Sequence, residues 1–210
     1  MISTLEQLRS LYAQPTERAV RKQQDRLDSH CQQWIALSPM LVMATAGSDG
    51  ALVDASPRGG KPGFVKVVDE RRLWIPDAGG NNRLDSLSNL LTDARIGLLF
   101  LIPGMDETLR VNGRAQLRDE AEFTEQFAGE NFRPKLVIEV QVQEAYLHCA
   151  KALMRSRLWS AEAQVPRNLM PSLNQMVQSQ IGMTSEPESQ ELMVARYSAL
   201  IAAEQSRKNG

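Results

Sequence analysis

From residue 40 to residue 142 the chain is cut into short β-prone runs by turn residues at hairpin spacing, and that punctuation limits the fold more than any other feature. The run MLVMATA at 40–46 ends in Gly47-Ser48-Asp49-Gly50, where glycine and aspartate accept the positive φ of a hairpin turn, and a second run follows at 51–56. Runs at 64–68 and 72–75 flank Asp69-Glu70-Arg71, and runs at 95–102 and 108–117 flank Pro103-Gly104-Met105-Asp106. Leu136, Ile138, Val140 and Val142 alternate with Val137, Glu139, Gln141 and Gln143, the period of a strand with one buried side. Two helices interrupt the strands: one at 83–91 with Leu84, Leu87 and Leu91 turned inward, and one at 120–127. Six or more antiparallel runs with so few helices between them predict a closed or partly closed barrel, mainly β with flanking helices, rather than a doubly wound parallel sheet.

The ends of the chain read as helical. Ser3 followed by Glu6 has the spacing of a capping box, with Leu5, Leu8, Leu11 and Tyr12 at helical intervals behind it. A second helical segment starts at Pro15 and Thr16, and places Val20, Leu27, Cys31, Trp34 and Ile35 on one face. Beyond residue 150, helices are expected at 153–159, 169–181 and 190–203, with Gly182 to Pro187 as a break. The resulting organisation is a helical segment at 1–38, a barrel domain at 39–160, and a helical extension at 161–210 that packs on the barrel or on a partner chain.

The composition narrows the function classes. A formal net charge of -1 supplies no global field to draw the chain to nucleic acid or an anionic membrane, so any anion site must be local. Cys31 and Cys149 lie far apart and form no CxxC pair, which removes a zinc cluster and a disulfide framework and leaves them as free thiols of a reducing compartment. No basic region followed by an apolar core opens the sequence and no apolar run approaches a membrane span, so a cytoplasmic protein is expected. Gly59-Gly60-Lys61 is followed by Pro62 rather than a hydroxyl residue, so it is no phosphate-binding Walker loop. GxGxxG at a helix start, HExxH and GxSxG are all missing from the sequence.

One stretch points to a ligand. IPDAGGNNRLDSL, from Ile75 to Leu87, sets Asn81, Asn82 and Arg83 on the first turn of the expected helix 83–91. Unpaired N–H groups and the positive end of the helix dipole already sit there, so an added arginine is misplaced unless an anion joins it, and a phosphate is the natural candidate. The competing reading is an exposed arginine paired with Asp77 or Asp85.

Two further segments share the character of that one: ASPRGGKPGFVKV from Ala55 to Val67, and ETLRVNGRA from Glu107 to Ala115. Together the three resemble the pyridoxamine 5'-phosphate oxidase-like, split-barrel flavoproteins, in particular their bacterial FMN-binding relatives of unassigned substrate. The resemblance covers roughly residues 39–159 and is strongest from 64 to 115. It implies an antiparallel split β-barrel that binds FMN between the subunits of a homodimer. In that family a strand ending in lysine, a hairpin, a short strand and a polar-basic tripeptide hold the FMN phosphate and the flavin edge; here these correspond to Phe64-Val65-Lys66, then Ile75-Pro76-Asp77, then Asn81-Asn82-Arg83. The family often carries two basic residues in the tripeptide. Asn82 takes the place of one, which leaves the phosphate charge to Arg83, Lys66 and Arg58. Phe64, Val65, Ile75 and Pro76, with Thr108, are the implied contacts of the flavin ring, and Lys151, Arg155 and Ser156 are implied contacts reaching the pocket from beyond the last strand.

The activity implied is that of an FMN-dependent oxidoreductase with no catalytic side chain identified. The alternatives are a non-catalytic flavin carrier or sensor, and a split barrel holding a deazaflavin or haem. Oxidation of pyridoxamine phosphate itself is not expected, because the tail from 166 to 210 lacks the basic and aromatic pattern that would hold that substrate's phosphate.

Overall fold

The computed structural model describes residues 1–48, 50–128 and 133–206 of the 210-residue chain, 205 and 206 in backbone only. Its centre is one sheet of seven strands: β1 (Met40–Ala46), β2 (Val53–Gly59), β3 (Lys66–Asp69), β4 (Arg72–Pro76), β5 (Arg95–Leu101), β6 (Thr108–Arg118) and β7 (Val137–His148). They lie in the order β2-β1-β5-β6-β7-β4-β3, and every neighbouring pair is antiparallel. The antiparallel, mainly β architecture read from the hairpin spacing is therefore what forms. Of the closed and partly closed alternatives, the closed one is excluded: β2 and β3 remain separate edges.

Local chemistry makes the turns. Gly50 and Gly104 adopt φ of 78° and 87° in the β1–β2 and β5–β6 connections, a region that costs glycine nothing. Asp69 closes the β3–β4 hairpin by accepting the Arg71 N–H at 2.8 Å. The long β6–β7 pair carries a register shift at Asn112/Gly113, where a Cβ on Gly113 would lie 2.1 Å from the Gln141 carbonyl oxygen. Only a residue without a side chain fits there.

Alternation along the strands builds the core. Leu41 and Met43 of β1, Leu73 and Ile75 of β4, Leu98 and Phe100 of β5, Leu109 and Val111 of β6, and Ile138 and Val140 of β7 are fully buried. Over them pack α3 (Ser29–Leu37) through Cys31, Trp34 and Ile35, and α4 (Asp85–Thr92) through Leu87 and Leu90. Burial pushes the Cys31 thiol up to about 12, so it is a small apolar core residue. Val137 is buried as well, against a satellite cluster of Phe123, Phe127 and Trp74.

Several helical expectations change. α4 starts at Asp85, two residues later than its apolar spacing suggests; Leu90 therefore turns inward, while Leu84 and Leu91 are exposed. The helix expected from residue 15 is two, α2 (Glu17–Arg21) and α3, because Gln24 leaves the helical path to exchange backbone hydrogen bonds with Ala145 at 3.0 and 2.8 Å. Val20 is consequently exposed. At the N-terminus Thr4, not Ser3, caps α1 (Leu5–Arg9), accepting the Gln7 N–H at 3.2 Å. The segment expected at 120–127 forms α5 (Ala121–Thr124) and a 3₁₀ turn, Glu125–Phe127.

Beyond the sheet lie α6 (Lys151–Ser156), α7 (Leu173–Ile181) with a full capping box between Ser172 and Gln175, and α8 (Gln190–Ser206). Among the described residues no helix is long and apolar enough to cross a membrane.

Two stability effects follow. Gly113→Ala should lower the urea midpoint by the equivalent of about 1–3 kcal/mol at unchanged m-value, because the new methyl collides with backbone rather than with a movable side chain. Asp28 caps α3 by accepting the Cys31 N–H at 2.8 Å, and that bond holds its carboxyl below the ordinary carboxylate range. A depressed carboxylate stabilises the fold above its unfolded pKa and loses that contribution as pH falls through the folded value. Asp28→Asn keeps a capping side chain without the charge, so thermal melts of variant and wild type should converge below about pH 4 and diverge above it.

Candidate functional site

A cleft of about 670 Å³ opens between the end of β2, the loop after β4, the start of α4, residues 133–136 and the far end of α8. Strand alternation supplies its first wall: Asp54, Ser56 and Arg58 face the side on which their β1 partners Thr45, Met43 and Leu41 are buried. Pro76 ends β4, and the Asp77 N–H donates to the Leu136 carbonyl at 3.1 Å, which fixes the exit of the following loop. The Asp77 carboxylate then accepts from Nη1 of Arg58 at 2.7 Å, an ion pair whose side chains are 18% and 17% exposed. Nε of the same guanidinium is buried without a hydrogen-bond partner.

The loop that follows is held by its own polar groups. The Asn81 Oδ1 accepts the Arg83 N–H at 3.0 Å, and Asn82 and Leu84 take left-handed φ of 59° and 60°. Asparagine tolerates that region; leucine does so at a cost of order 1 kcal/mol or more. Leu84 is the N-cap of α4 and offers no capping side chain. The first-turn N–H groups of α4 thus reach the cleft without a side-chain acceptor. Ser86 Oγ donates to Asp54 Oδ2, and Asn89 Nδ2 donates to Thr45 Oγ1 at 3.1 Å, tying the helix to β2 and β1.

This geometry revises the sequence argument about Asn81, Asn82 and Arg83. The three residues precede the helix rather than forming its first turn. Arg83 is also not left without an anion: its Nε donates to Asp85 Oδ2 at 2.8 Å, and that carboxylate raises the guanidinium pKa further. The exposed pair with Asp85 is the competing reading, and it is the one realised; the Arg83 side chain is 73% exposed. Across the whole cleft, Arg58, Arg83, Arg133 and Lys135 stand against Asp54, Asp77, Asp85 and Glu204, so its formal charge cancels.

The structure gathers Arg58, Asp77, Asn81, Asn82 and Arg83 around this one cleft. It does not bring the other expected residues there. Phe64, Val65 and Ile75 are core side chains with no free face, and Pro76 is buried at the end of β4. Lys66 begins β3 opposite Trp74, with its ammonium 5.0 Å from the centre of the Phe127 ring. Thr108 is buried at the start of β6 opposite His148, and Lys151 and Arg155 are exposed on α6 together with Ser156. Asp54, Ser56, Ser86, Lys135 and Glu204 line the cleft without having been singled out. The polar alternation of Asp54, Ser56 and Arg58 was a readable signal; Glu204, far along the chain from every other residue of the cleft, offered none.

Residues 27–149 match the family model described as pyridoxamine 5'-phosphate oxidase. The chain belongs to that family. The matched span contains every residue of the cleft except Glu204. No curated protein matches the chain. Among solved structures, HupZ from Group A Streptococcus is 15% identical with a TM-score of 0.47, covering 57% of this chain and 92% of its own. An FMN-binding protein from Syntrophomonas wolfei is 12% identical with a TM-score of 0.45, over 56% of this chain and 83% of its own. General Stress Protein 26 from Bacillus anthracis is 10% identical with a TM-score of 0.41, over 56% and 93%.

The two arginine pairs differ in burial, so they should differ in consequence. Arg58→Ala strands a half-buried Asp77 and should cost about 1–3 kcal/mol in denaturant titrations. Arg83→Ala removes a solvent-exposed pair and should leave the unfolding midpoint where it is.

Proposed function

We propose that this family member binds FMN in the cleft beside α4 and acts as an FMN-dependent oxidoreductase in homodimeric form. The observation that carries the reading is Arg58: Asp77 holds one side of its guanidinium, and its buried Nε lacks an acceptor that a ligand group would provide. The start of α4 adds N–H donors without a side-chain cap, the arrangement that suits a phosphate. Arg83 is the exchangeable partner. Its pair with Asp85 lies in water, where such a bond contributes little, so a phosphate dianion can take over the guanidinium at small cost. Lys135 adds a cation with no ion pair among the described residues.

FMN bound there would supply the hydride or electron transfer; the protein's part is to hold and orient it. The flavin ring needs apolar contact that this cleft offers sparsely, since Phe64, Val65 and Ile75 are committed to the core. A second protomer is the natural source. Met40, Val42 and Ala44 of β1, Pro57 and Ala55 of β2, and Leu99 and Leu101 of β5 share the outer sheet face, opposite the core, and none of them is buried. Docking two copies there would cover an apolar face and allow Lys151 and Arg155, which are exposed outside the cleft of their own chain, to serve the cleft of the other.

Purified protein should be yellow, and mass spectrometry of the released chromophore should give FMN. Arg83→Ala and Arg58→Ala should each weaken FMN binding by about tenfold to a hundredfold, the loss of one charge-assisted contact. A deazaflavin or haem in the extract, or unchanged FMN affinity in both variants, would sink the assignment. Retained FMN with no turnover of reduced nicotinamides, amines or quinones would shift the reading to a flavin carrier.

A further inference from the structure

The far end of α8 enters the cleft from outside the span that the family shares. Glu204 lies half-buried there, and a Cβ built on Gly79 would stand 2.6 Å from its Oε1, so the carboxylate rests directly against the glycine loop. The other cleft carboxylates are engaged, Asp54 with Ser86, Asp77 with Arg58 and Asp85 with Arg83, whereas Glu204 has no hydrogen bond or ion pair among the described residues. An unpaired carboxylate placed among the cations of an anion cleft opposes any anionic ligand.

Among the described residues, the side-chain hydrogen bonds that tie α8 to its surroundings lie near its start. Near its first turns Arg196 grips Glu188 at 2.8 and 3.0 Å, Asn174 of α7 donates to the same carboxylate at 2.7 Å, and Arg167 donates to Gln190 at 2.9 Å. Those contacts hold the Glu188 carboxyl below its ordinary range, Arg196 contributing most. Met193 is buried, but Val194, Tyr197, Leu200 and Ile201 further along are exposed. Gly182, in the left-handed conformation, ends α7 and starts the connection. From Gln190 to Glu204 the helix rises about 21 Å, so a tilt of about 15° at its anchored end displaces the carboxylate by about 5 Å.

We propose that α8 is a hinged lid whose Glu204 carboxylate holds the place of an anionic ligand group, so that a bound anion and the docked helix tip exclude each other. The inference rests on the anion-binding reading of the cleft and adds its regulation. Because Glu204 lies beyond the matched family span, the lid is a property of this chain rather than of the barrel.

The test uses the full chain with inorganic phosphate and FMN as separate probes, each followed by equilibrium titration and by amide hydrogen exchange at residues 198–204. Saturating phosphate should speed exchange in that stretch of the wild-type helix while leaving α7 unchanged, and Glu204→Gln should bind phosphate about threefold to tenfold more tightly. Gly79→Leu should show the fast exchange without any ligand, because a Cβ at Gly79 meets the Glu204 carboxylate and no other group within 4 Å, and the larger side chain claims the space that carboxylate occupies. Absent phosphate binding, equal phosphate affinity in wild type and Glu204→Gln, or wild-type exchange in Gly79→Leu overturns the lid. FMN separates the two readings. If phosphate frees the tip and FMN does not bind, the lid stands and the cofactor assignment falls; if FMN binds and the tip stays protected, the lid falls and the cofactor assignment stands.

Discussion

The pairing of β6 with β7 is the constraint on which the rest depends, and its critical point is the close approach of Gly113 to the Gln141 carbonyl. Before the irregularity Gly113 pairs with Val142; after it Asn112 pairs with Glu144, leaving Gln143 as the extra residue. That one insertion re-phases the strand, so that Val142 and Ala145 are both buried and Gln143 points to water. Ala145 is also where Gln24 forms its backbone bridge, and the Leu27 N–H reaches the Glu70 carbonyl at 2.7 Å just beyond. The N-terminal chain is thereby delivered to the sheet, and α3 comes down over the core. At its other end β7 pairs with β4, and residue 136 just before it receives the Asp77 N–H, which launches the cleft loop.

The cleft solves an electrostatic problem internally. Four cationic and four anionic side chains converge on it, and three of the carboxylates are already hydrogen-bonded. Two classes of contact result. Arg58–Asp77 is sheltered and orients the guanidinium, so losing a partner leaves a charge poorly solvated. Arg83–Asp85 is washed by solvent, and its partners can be exchanged with little change in energy. A ligand entering such a site uses the first pair as scaffold and the second as a removable placeholder.

How much of this was legible in the sequence depends on the range of the interaction. Strand positions and hairpins follow from local periodicity and turn chemistry, and β1, β4, β5 and β6 begin within a residue of where the pattern put them. The strand pairing around Gly113 is not local, so β7 reaches His148, beyond the alternation that ends at Gln143. Helix phase failed for the same reason: Leu84 and Leu91 fit an amphipathic template, but the left-handed Leu84 delays the helix and Leu90 takes the core position. In the site, Arg58, Asp77 and the Asn81–Arg83 loop were readable because they flank strand ends. Phe64, Val65 and Ile75 pack in the core instead of lining the cleft, and sequence alone could not place them, since a β-prone apolar residue looks the same whether it lines a pocket or fills a core.

Cancellation of charge in the cleft also decides how a ligand finds it. With a net protein charge of -1 and a neutral cleft, no long-range field gathers anions toward the mouth. Recognition has to occur at contact distance, through partner exchange at Arg83 and the free donors at the start of α4, both of which act over a few ångströms. In such a site a single carboxylate arriving on a movable helix carries unusual leverage. Added to a strongly cationic pocket it would be one charge among many; here Glu204 is the carboxylate that takes a cleft with one excess positive charge to neutrality. The position of Glu204 at the end of a helix held near its first turns therefore makes the last turns of α8 the part of the chain best placed to open or close the cleft to an anion.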